Sequence, residues 1–412
     1  MNTEQLKEIA VKYGTPSFVF DEEKLKQRMR KIKEIVGDSI SLCFSIKANP
    51  FLIPAMLEVT DKLEVCSPGE LDICKALKVD AGRIIYSGVN KTFDNVIDAG
   101  EYKVGTYTAE SVKHVALIQE NGVRNNEKYD VLLRLNAGSQ FGMSKEDIFA
   151  CLEEKDKFDH INFVGIHYFA GTQRKKLKHQ IEELSMLKDF FEEVNEKFGI
   201  KLERLEYGPG LYVPYFDSED FSDTLSPVKE LSLELKETAK WCSLTIEMGR
   251  FFVSECGYYL TKVVDMKNNK GINYLIIDGG MNHVNYLGQM LGMKNPIIEH
   301  IERDKDNDCD ADVVEKYFGI EHTKASKNEE INYAVCGSLC TTSDVLVRQL
   351  PLINLQIGDI LAFCNIGAYS VTEGIHLFLS RTMPQILLRK ENGDIVIARG
   401  FMESSPINTI KG

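Results

Sequence analysis

The sequence predicts an α/β protein in which a (β/α)8 barrel precedes a mainly antiparallel β domain. Eight apolar, β-rich runs alternate with helical patterns between residues 41 and 250, which is typical of a parallel barrel. From Phe251 onward, strands recur without regular helices, which indicates a second, largely antiparallel domain. A chain of 412 residues is long enough for both domains.

Composition and charge narrow the classes of partner. The formal net charge is -13 with acidic residues spread along the chain, which argues against nucleic acid and anionic membranes and favours small molecules. Ten cysteines lie at irregular spacings without a CxxC pair or a metal-like Cys/His cluster, and the chain opens without an apolar signal region. No apolar stretch approaches the roughly 20 residues that span a bilayer. We therefore expect a reduced, cytoplasmic protein that holds no metal.

The predicted elements follow a regular order. A strand at 15–21 precedes a helix at 22–36, and the barrel is expected over 22–250, with a C-terminal β domain over 251–412 that the first strand joins. The polar region 302–330 is expected to be a solvated insertion or a helix-bearing loop. The eight barrel strands are predicted at 41–47, 62–67, 83–88, 103–107, 130–136, 162–169, 202–208 and 243–248. Later strands are predicted at 257–266, 273–278, 332–336, 360–365, 385–389 and 394–399.

Lys47 stands at the carboxyl end of the first barrel strand. The strand is stopped by Asn49 and Pro50, which directly follow the lysine segment. Apolar neighbours predict that the ammonium is partly desolvated, and therefore easier to deprotonate and able to form a Schiff base. A lysine snorkelling at a sheet edge is the alternative.

The other barrel strands end in residues that suit a phosphorylated cofactor. Glycines after the seventh strand let backbone amides approach an anion, and Arg250 offers a fork of donors for phosphate. Each residue alone has a simpler explanation as a turn, a cap, a core aromatic or an internal ion pair. A lysine, an anion cradle and a carboxylate together match the needs of pyridoxal phosphate. The strand-end set comprises Glu64, Phe169, Thr172, Gly208, Gly210, Glu247, Gly249 and Arg250.

The motifs FSIKAN, EVCSPGEL, a Gly-Thr turn, YGPG and EMGR are followed by Cys340, Asp344 and the run 367–369 (GAY). In this order the chain resembles the ornithine/diaminopimelate decarboxylase family of pyridoxal-phosphate enzymes, with an alanine-racemase-like barrel. The resemblance covers nearly the whole chain. It implies that Lys47 forms the Schiff base and that Glu247 bonds the pyridine nitrogen, with Glu64 nearby. It also implies that the phosphate is held by Thr172, Gly208, Gly210, Gly249, Arg250 and Tyr369.

The resemblance also implies a homodimer with shared active sites. Cys340 and Tyr369 of one subunit would complete the site of the other, and Cys340 would protonate the carbon that loses CO2. An inert buried thiol is the alternative for Cys340.

Several positions depart from the family pattern. Phe169 replaces a histidine that stacks on the cofactor ring, and Pro209 replaces the middle glycine of a glycine-rich run. Thr341 stands where an acidic residue would face a distal ammonium, and Tyr286 replaces an arginine that would hold a distal carboxylate. The pattern HxFxGTQ together with CTxxD resembles the branch of the family that decarboxylates conjugated or carrier-bound amino acids.

The sequence therefore predicts a carboxy-lyase that removes the α-carboxylate of an amino acid in a biosynthetic pathway. One alternative is meso-diaminopimelate decarboxylase of lysine biosynthesis, and another is an amino-acid racemase of the same fold. A third is a non-catalytic regulator, which the presence of both Lys47 and Cys340 disfavours.

Overall fold

The computed structural model describes residues 1–284, 286, 293–303, 316–317 and 328–411. The chain divides into two compact units. The first unit comprises Met1–Leu25, Pro214–Ser222 and Val253–Gly412, and the second comprises Lys26–Val213 and Asp223–Phe252. Most of the polar region 302–330, predicted to be a solvated insertion or a helix-bearing loop, lies outside the described residues.

The first unit contains a mainly antiparallel sheet, as the sequence predicted. Its strands run in the order β14-β13-β11-β10-β1-β16-β17, with β15 pairing both β10 and β12. The N-terminal strand β1 is buried along its length and pairs antiparallel with β10 and parallel with β16. The strands are β1 (Ser17–Asp21), β10 (Gly257–Asn269), β11 (Ile272–Ile277), β12 (Ile298–Ile301), β13 (Glu330–Cys336), β14 (Val345–Ile353), β15 (Ile360–Cys364), β16 (Gln385–Arg389) and β17 (Ile395–Arg399).

The second unit is a closed barrel of eight parallel strands, which confirms the predicted fold class. One buried apolar cluster comprises the strand residues Cys43, Ile85, Leu132 and Val164. In barrels of this kind the reactive residues lie at the carboxyl ends of the strands. The strands are β2 (Ser41–Ser45), β3 (Lys62–Val65), β4 (Ile84–Tyr86), β5 (Thr106–Ala109), β6 (Tyr129–Arg134), β7 (Ile161–Phe169), β8 (Arg204–Gly208) and β9 (Ser243–Met248).

Helices follow the barrel strands, and several begin at a side-chain cap. Ser67, Thr92, Ser111 and Ser144 each accept a hydrogen bond from a backbone N–H of the first helical turn, which satisfies one of its free donors. Among the described residues, no helix has both the length and the apolar character needed to cross a bilayer. The helices are α1 (Thr3–Tyr13), α2 (Glu22–Val36), α3 (Ile53–Met56), α4 (Pro68–Ala76), α5 (Phe93–Glu101), α6 (Val112–Asn125), α7 (Lys145–Glu153), α8 (Lys178–Phe198), α9 (Ser226–Thr238), α10 (Arg250–Val253) and α11 (Ser370–Glu373).

Some elements differ from the sequence-based expectation. Helix α1 and strands β12 and β14 were not predicted, and the strand expected at 103–107 lies at Thr106–Ala109. Strand β14 contains Pro351, which lacks a backbone N–H and lowers the strand signal. The strand nevertheless forms because it is an edge strand of the sheet in the described residues. One side of an edge strand donates no hydrogen bonds to a neighbouring strand.

Candidate active site

Lys47 lies between two carboxylates at the carboxyl ends of the barrel strands. It follows β2 in a short 3-10 turn, Ile46–Ala48, and its Nζ donates a hydrogen bond of 2.8 Å to Oε2 of Glu64. Oε1 of Glu247 is 3.8 Å from the same nitrogen. The side chain of Lys47 is 41% exposed, whereas those of Glu64 and Glu247 are 3% and 7% exposed. The lysine is therefore accessible and anchored by two buried acids.

The charge state of Lys47 differs from the prediction. Burial by itself lowers the pKa of Lys47, but the carboxylate of Glu64, with Cys66 and Glu247, raises that pKa well above its usual value. The expected loss of the proton through apolar surroundings is wrong, because acids from β3 and β9 approach the ammonium through space. In this arrangement Lys47 is a charged ammonium, with Glu64 as the nearest acceptor for its proton.

Glu247 is held in its ionised form by a set of donors. Its Oε1 accepts a short hydrogen bond from the hydroxyl of Ser45, and its Oε2 lies 3.0 Å from Nε2 of His167. Burial favours the protonated acid, yet Lys47 and the hydrogen bond from His167 outweigh it and hold the pKa of Glu247 far below its usual value. An ionised carboxylate at this position can keep a pyridine nitrogen protonated.

His167 and Glu206 lie beside Glu247 and were not predicted as site residues. Both are 1% exposed and occupy paired positions on β7 and β8. Burial lowers the pKa of His167, but Glu247 and Glu206 together raise it above its usual value. Burial raises the pKa of Glu206 to about 7. The available signal was their position two residues before Phe169 and Gly208 within apolar strands, which the period of two directs toward the barrel interior.

The predicted glycines occur where loops approach too closely for a side chain. A Cβ added at Gly208 would lie 2.5 Å from the ring of Phe169, and one at Gly210 would lie 1.8 Å from the carbonyl oxygen of Gly171. Gly210 also has φ +58°, a conformation that favours glycine. A Cβ at Gly249 would lie 2.8 Å from that of Ala48. The loops after β7, β8 and β9 thus form a tight, glycine-lined surface.

Two further predicted phosphate contacts flank these glycines. Thr172 is exposed in the loop that contains Gly171, and Arg250 begins α10 directly after Gly249. The backbone N–H of Arg174 donates to the carbonyl of Gly210 at 2.9 Å, which ties the loop after β7 to the loop after β8. The barrel unit therefore contains the lysine, the glycines, the threonine and the arginine that the sequence singled out.

A second polar group inside the barrel was also missed by sequence reasoning. Arg134 at the end of β6 pairs closely with Glu110, whose other oxygen accepts from the backbone of Gly142 at 3.0 Å. Lys91 is 1% exposed, and its Nζ donates to the carbonyl of Gly88 at 2.6 Å. Burial lowers the pKa of Lys91 to about 8. No spacing rule signals these residues, because they become neighbours only when the successive strands of the barrel pair.

The remaining predicted residues belong to the first unit. Cys340 and Thr341 are exposed, and Tyr369 is half-buried with φ +67°. Buried Asp344 shapes their loop, since its carboxylate accepts from the backbone N–H groups of Met281 at 2.7 Å and Leu339 at 2.8 Å.

Tyr286 was expected near the distal end of the substrate. It is 1% exposed, and its hydroxyl donates to the carbonyl of Cys364 at 2.6 Å. Its ring packs against those of Tyr215 and Phe216. In this arrangement Tyr286 is a core residue of the first unit, and its contact with substrate stays a prediction.

The barrel residues fit pyridoxal phosphate. An accessible amine adjoins a carboxylate held ionised, and a glycine-lined surface without side-chain bulk lies on the loops that commonly bind phosphate in such barrels. Lys47 would hold the aldehyde carbon, Glu247 the ring nitrogen and the glycine loops the phosphate. The fold and the site together define an enzyme of the pyridoxal-phosphate barrel class.

Comparison with known proteins identifies the family. The family described as pyridoxal-dependent decarboxylase, pyridoxal binding domain, matches residues 22–254, so the chain belongs to this family and uses pyridoxal phosphate. It is 27% identical to diaminopimelate decarboxylase of Methanocaldococcus jannaschii over 95% of this chain and 90% of that protein. It is also 27% identical to the L-glutamyl-[BtrI acyl-carrier protein] decarboxylase of Niallia circulans, over 97% of this chain and 94% of the relative.

A solved structure supports the same assignment. The crystal structure of the Methanocaldococcus jannaschii diaminopimelate decarboxylase superposes with a TM-score of 0.77 at 25% identity, covering 97% of this chain and 92% of that one. The similarity extends over both units rather than the barrel alone. The predicted decarboxylase class, its cofactor and its fold are thereby confirmed.

Proposed function

We propose that this protein removes the α-carboxylate of an amino acid whose distal amine is masked by conjugation, with Lys47 as the residue that binds the cofactor. The observation that supports this most strongly is the ammonium of Lys47, held 2.8 Å from Glu64 beside the ionised Glu247 at the barrel end. When bound, pyridoxal phosphate withdraws electrons from the α-carbon, which allows the bond to the carboxylate to break.

The residues of this chain would bind the cofactor, hold its ring and transfer protons. Lys47 must release its proton before its nitrogen can act as a nucleophile, and Glu64 is the nearest acceptor. Glu247 would hold a proton at the ring nitrogen. Phe169 would lie against the ring, because it ends β7 and packs on Gly208. Cys340 of the partner subunit would deliver the proton that replaces the carboxylate at the α-carbon.

The phosphate contacts are proposed on the same loops. The glycines leave room for a phosphate near their backbone, and Thr172 and Arg250 add donors from a hydroxyl and a guanidinium. Tyr369 of the partner subunit would add a phenol. The full set is Thr172, Gly208, Gly210, Gly249, Arg250 and Tyr369.

The masked amine is inferred from Thr341. A buried ammonium without a counter-charge is unfavourable by several kcal/mol, and threonine supplies only a hydroxyl. That hydroxyl already accepts from the backbone N–H of Ser343 at 3.3 Å. The relative from Niallia circulans, named for a carrier-bound glutamyl group, supports a conjugated substrate.

Meso-diaminopimelate is the second candidate substrate. The relative from Methanocaldococcus jannaschii is named a diaminopimelate decarboxylase and matches over nearly the whole chain. Free diaminopimelate carries a second ammonium and a second carboxylate, and both would need partners at the distal end of the site. Thr341 supplies neither charge.

A homodimer is proposed on the basis of an exposed apolar surface of the first unit, and the sharing of its sites follows from the family resemblance alone. Leu377, Leu379, Met402 and Ile407 are each more than 40% exposed. The two segments that contain them are joined, because Nδ2 of Asn408 donates to the carbonyl of Leu377 at 2.9 Å. Apolar surface of this kind is typical of protein interfaces. The expected result of light scattering is twice the mass of 46.6 kDa.

The substrate assignment is tested by steady-state CO2 release. The panel contains free meso-diaminopimelate, lysine, ornithine and amide-capped diamino acids. We expect the amide-capped compounds to give the highest kcat/KM, because they present no distal charge. If free diaminopimelate has the highest kcat/KM, the second candidate is correct and another carboxylate, such as Glu373, supplies the counter-charge.

A further inference from the structure

Two polar groups inside the barrel are buried without a hydrogen-bond partner in the described part of the chain. One is the carboxylate of Glu206, of which neither oxygen has a partner, and the other is Nδ1 of His167. The two residues pair in register on neighbouring parallel strands, so their side chains face the same interior. Buried polar groups are rarely left unsatisfied, and exceptions call for an explanation.

The net charge of the residues around Glu247 provides an explanation for these unsatisfied groups. The interior acids Glu64, Glu206 and Glu247 outnumber the bases Lys47 and His167 by one when all five are ionised. A single proton on Glu206 therefore makes the cluster neutral. An unbalanced charge in a buried site is costly, so the neutral arrangement is favoured.

Other titratable groups that face the pair leave this count unchanged. Arg134 from β6 is already paired with Glu110, and Lys62 at the start of β3 is only half-buried, so solvent screens its charge. The thiol of Cys43 from β2 is fully buried, and burial together with Glu206 raises its pKa, so it stays neutral.

His167 can remain a positively charged partner of Glu247 throughout the reaction, whereas Lys47 cannot. Lys47 has to lose its proton to act as an amine, so its positive charge cannot remain beside Glu247 throughout the reaction. His167, with Nε2 at 3.0 Å from Glu247, does not have to lose a proton for the reaction. Its second ring nitrogen, Nδ1, is buried, and Glu206 is its register partner on the neighbouring strand.

We propose that His167 and Glu206 form a proton-holding pair, in which Glu206 carries the proton that neutralises the cluster and His167 remains the positive partner of Glu247. Both are positioning residues, since they act on the cofactor through Glu247. The inference rests on the proposed function, which assigns Glu247 to the ring nitrogen. The pKa of about 7 for Glu206 and the raised pKa of His167 agree with this arrangement.

The first test is the pH dependence of thermal unfolding of the full chain without cofactor. The unfolded chain releases the Glu206 proton near the ordinary value of 4.5, whereas the folded protein keeps it until about pH 7. The folded state therefore binds more protons in this interval, and stability falls as pH rises through it. Glu206→Gln should remove part of this fall in Tm. Glu193→Gln, which removes an equal charge from the outer helix α8, should follow the wild-type profile.

A Glu206→Gln profile that parallels the wild type would overturn the role of Glu206. If this variant does not fold, Glu206→Asp keeps the carboxyl group, and it should retain the fall in Tm while shifting its midpoint. A fall with an unchanged midpoint would contradict the proposal.

The second test follows His167 by NMR in the full chain labelled at histidine, with and without pyridoxal phosphate. Its signal is assigned by its loss in His167→Gln. We expect the ring to remain an imidazolium to a higher pH in the wild type than in Glu247→Gln, where the counter-charge is gone. A wild-type titration midpoint at or below that of Glu247→Gln would refute the pair. Failure of the chain to bind pyridoxal phosphate would instead refute the proposed function. The titration of His167 in the cofactor-free protein does not depend on that binding, so the two failures can be distinguished.

Discussion

The ammonium of Lys47 donates to the carboxylate of Glu64 across 2.8 Å, and this contact makes the lysine a stronger base than an exposed one. A stronger base is more often protonated at neutral pH and is then not a nucleophile. The same contact places the proton acceptor beside the amine. The pair thus links the charge of Lys47 to its capacity to react with an aldehyde.

Glu64→Gln should change the pH at which the cofactor is taken up. Removing the carboxylate lowers the pKa of Lys47, so more of the amine is neutral at a given pH. We expect the pH profile for the rate of pyridoxal phosphate uptake by the cofactor-free protein to move to lower pH. Stopped-flow absorbance measures this rate. Glu70→Gln, which removes an acid whose carboxylate accepts from the backbone N–H of Cys66, is the control, and equal profiles for both variants would contradict the role of Glu64.

Lys47→Ala should abolish covalent uptake of pyridoxal phosphate and the visible absorption of the purified protein. The reason is that Lys47 is the accessible amine beside the ionised Glu247. Absorbance spectra and intact mass after borohydride reduction measure the attachment. Lys75→Ala, which alters an ion pair with Asp98 outside the barrel, should keep the full absorption. A reduced adduct on Lys47→Ala protein would assign the cofactor to another lysine.

Gly210→Ala should weaken cofactor binding more than backbone strain alone explains. The matched control is Gly199→Ala, since Gly199 has φ +61° against +58° for Gly210 but open space around its Cβ. Both variants pay about 1–2 kcal/mol for the left-handed conformation. Only Gly210→Ala also drives a methyl group into the carbonyl of Gly171. Titration with pyridoxal phosphate should show a raised Kd for Gly210→Ala and a wild-type Kd for Gly199→Ala; equal Kd values would show that this loop does not hold the phosphate.

Complementation tests whether two subunits share a site. Cys340→Ala should lower kcat by about 10²–10⁴-fold, as expected for loss of a proton donor. After subunit exchange with Lys47→Ala protein, half of the dimers are hybrids with one intact site of two, so about a quarter of wild-type activity should return. Cys340→Ala mixed with the double variant Lys47→Ala/Cys340→Ala should recover nothing. If exchange is verified by mass spectrometry and activity stays absent in the first mixture, each site is built within one chain.

The order of strands and the residues at their ends were predictable from the sequence. The alternation of strands with helices implies a closed parallel barrel, and a parallel barrel brings all carboxyl ends to one face. Lys47, Glu64, Gly208, Gly210 and Glu247 could therefore be grouped without coordinates. The local signals are strong because turns and strand stops depend on neighbouring residues.

The sequence was less informative about polar residues inside the barrel and about irregular strands. His167 and Glu206 sit within apolar runs, where a polar residue gives no sign of its partner across the barrel. Strand β14 was hidden by Pro351, whose missing donor matters little at the end of the described sheet.

What the sequence by itself determined is the barrel, the decarboxylase family and the set of residues at the strand ends. Only the tertiary structure decided their protonation. Lys47 is charged because Glu64 and Glu247 approach it from strands β3 and β9, and Glu206 holds its proton because it is buried among other acids. Electrostatic energy depends on distances through space and on burial, and neither quantity is written in the spacing of residues along the chain.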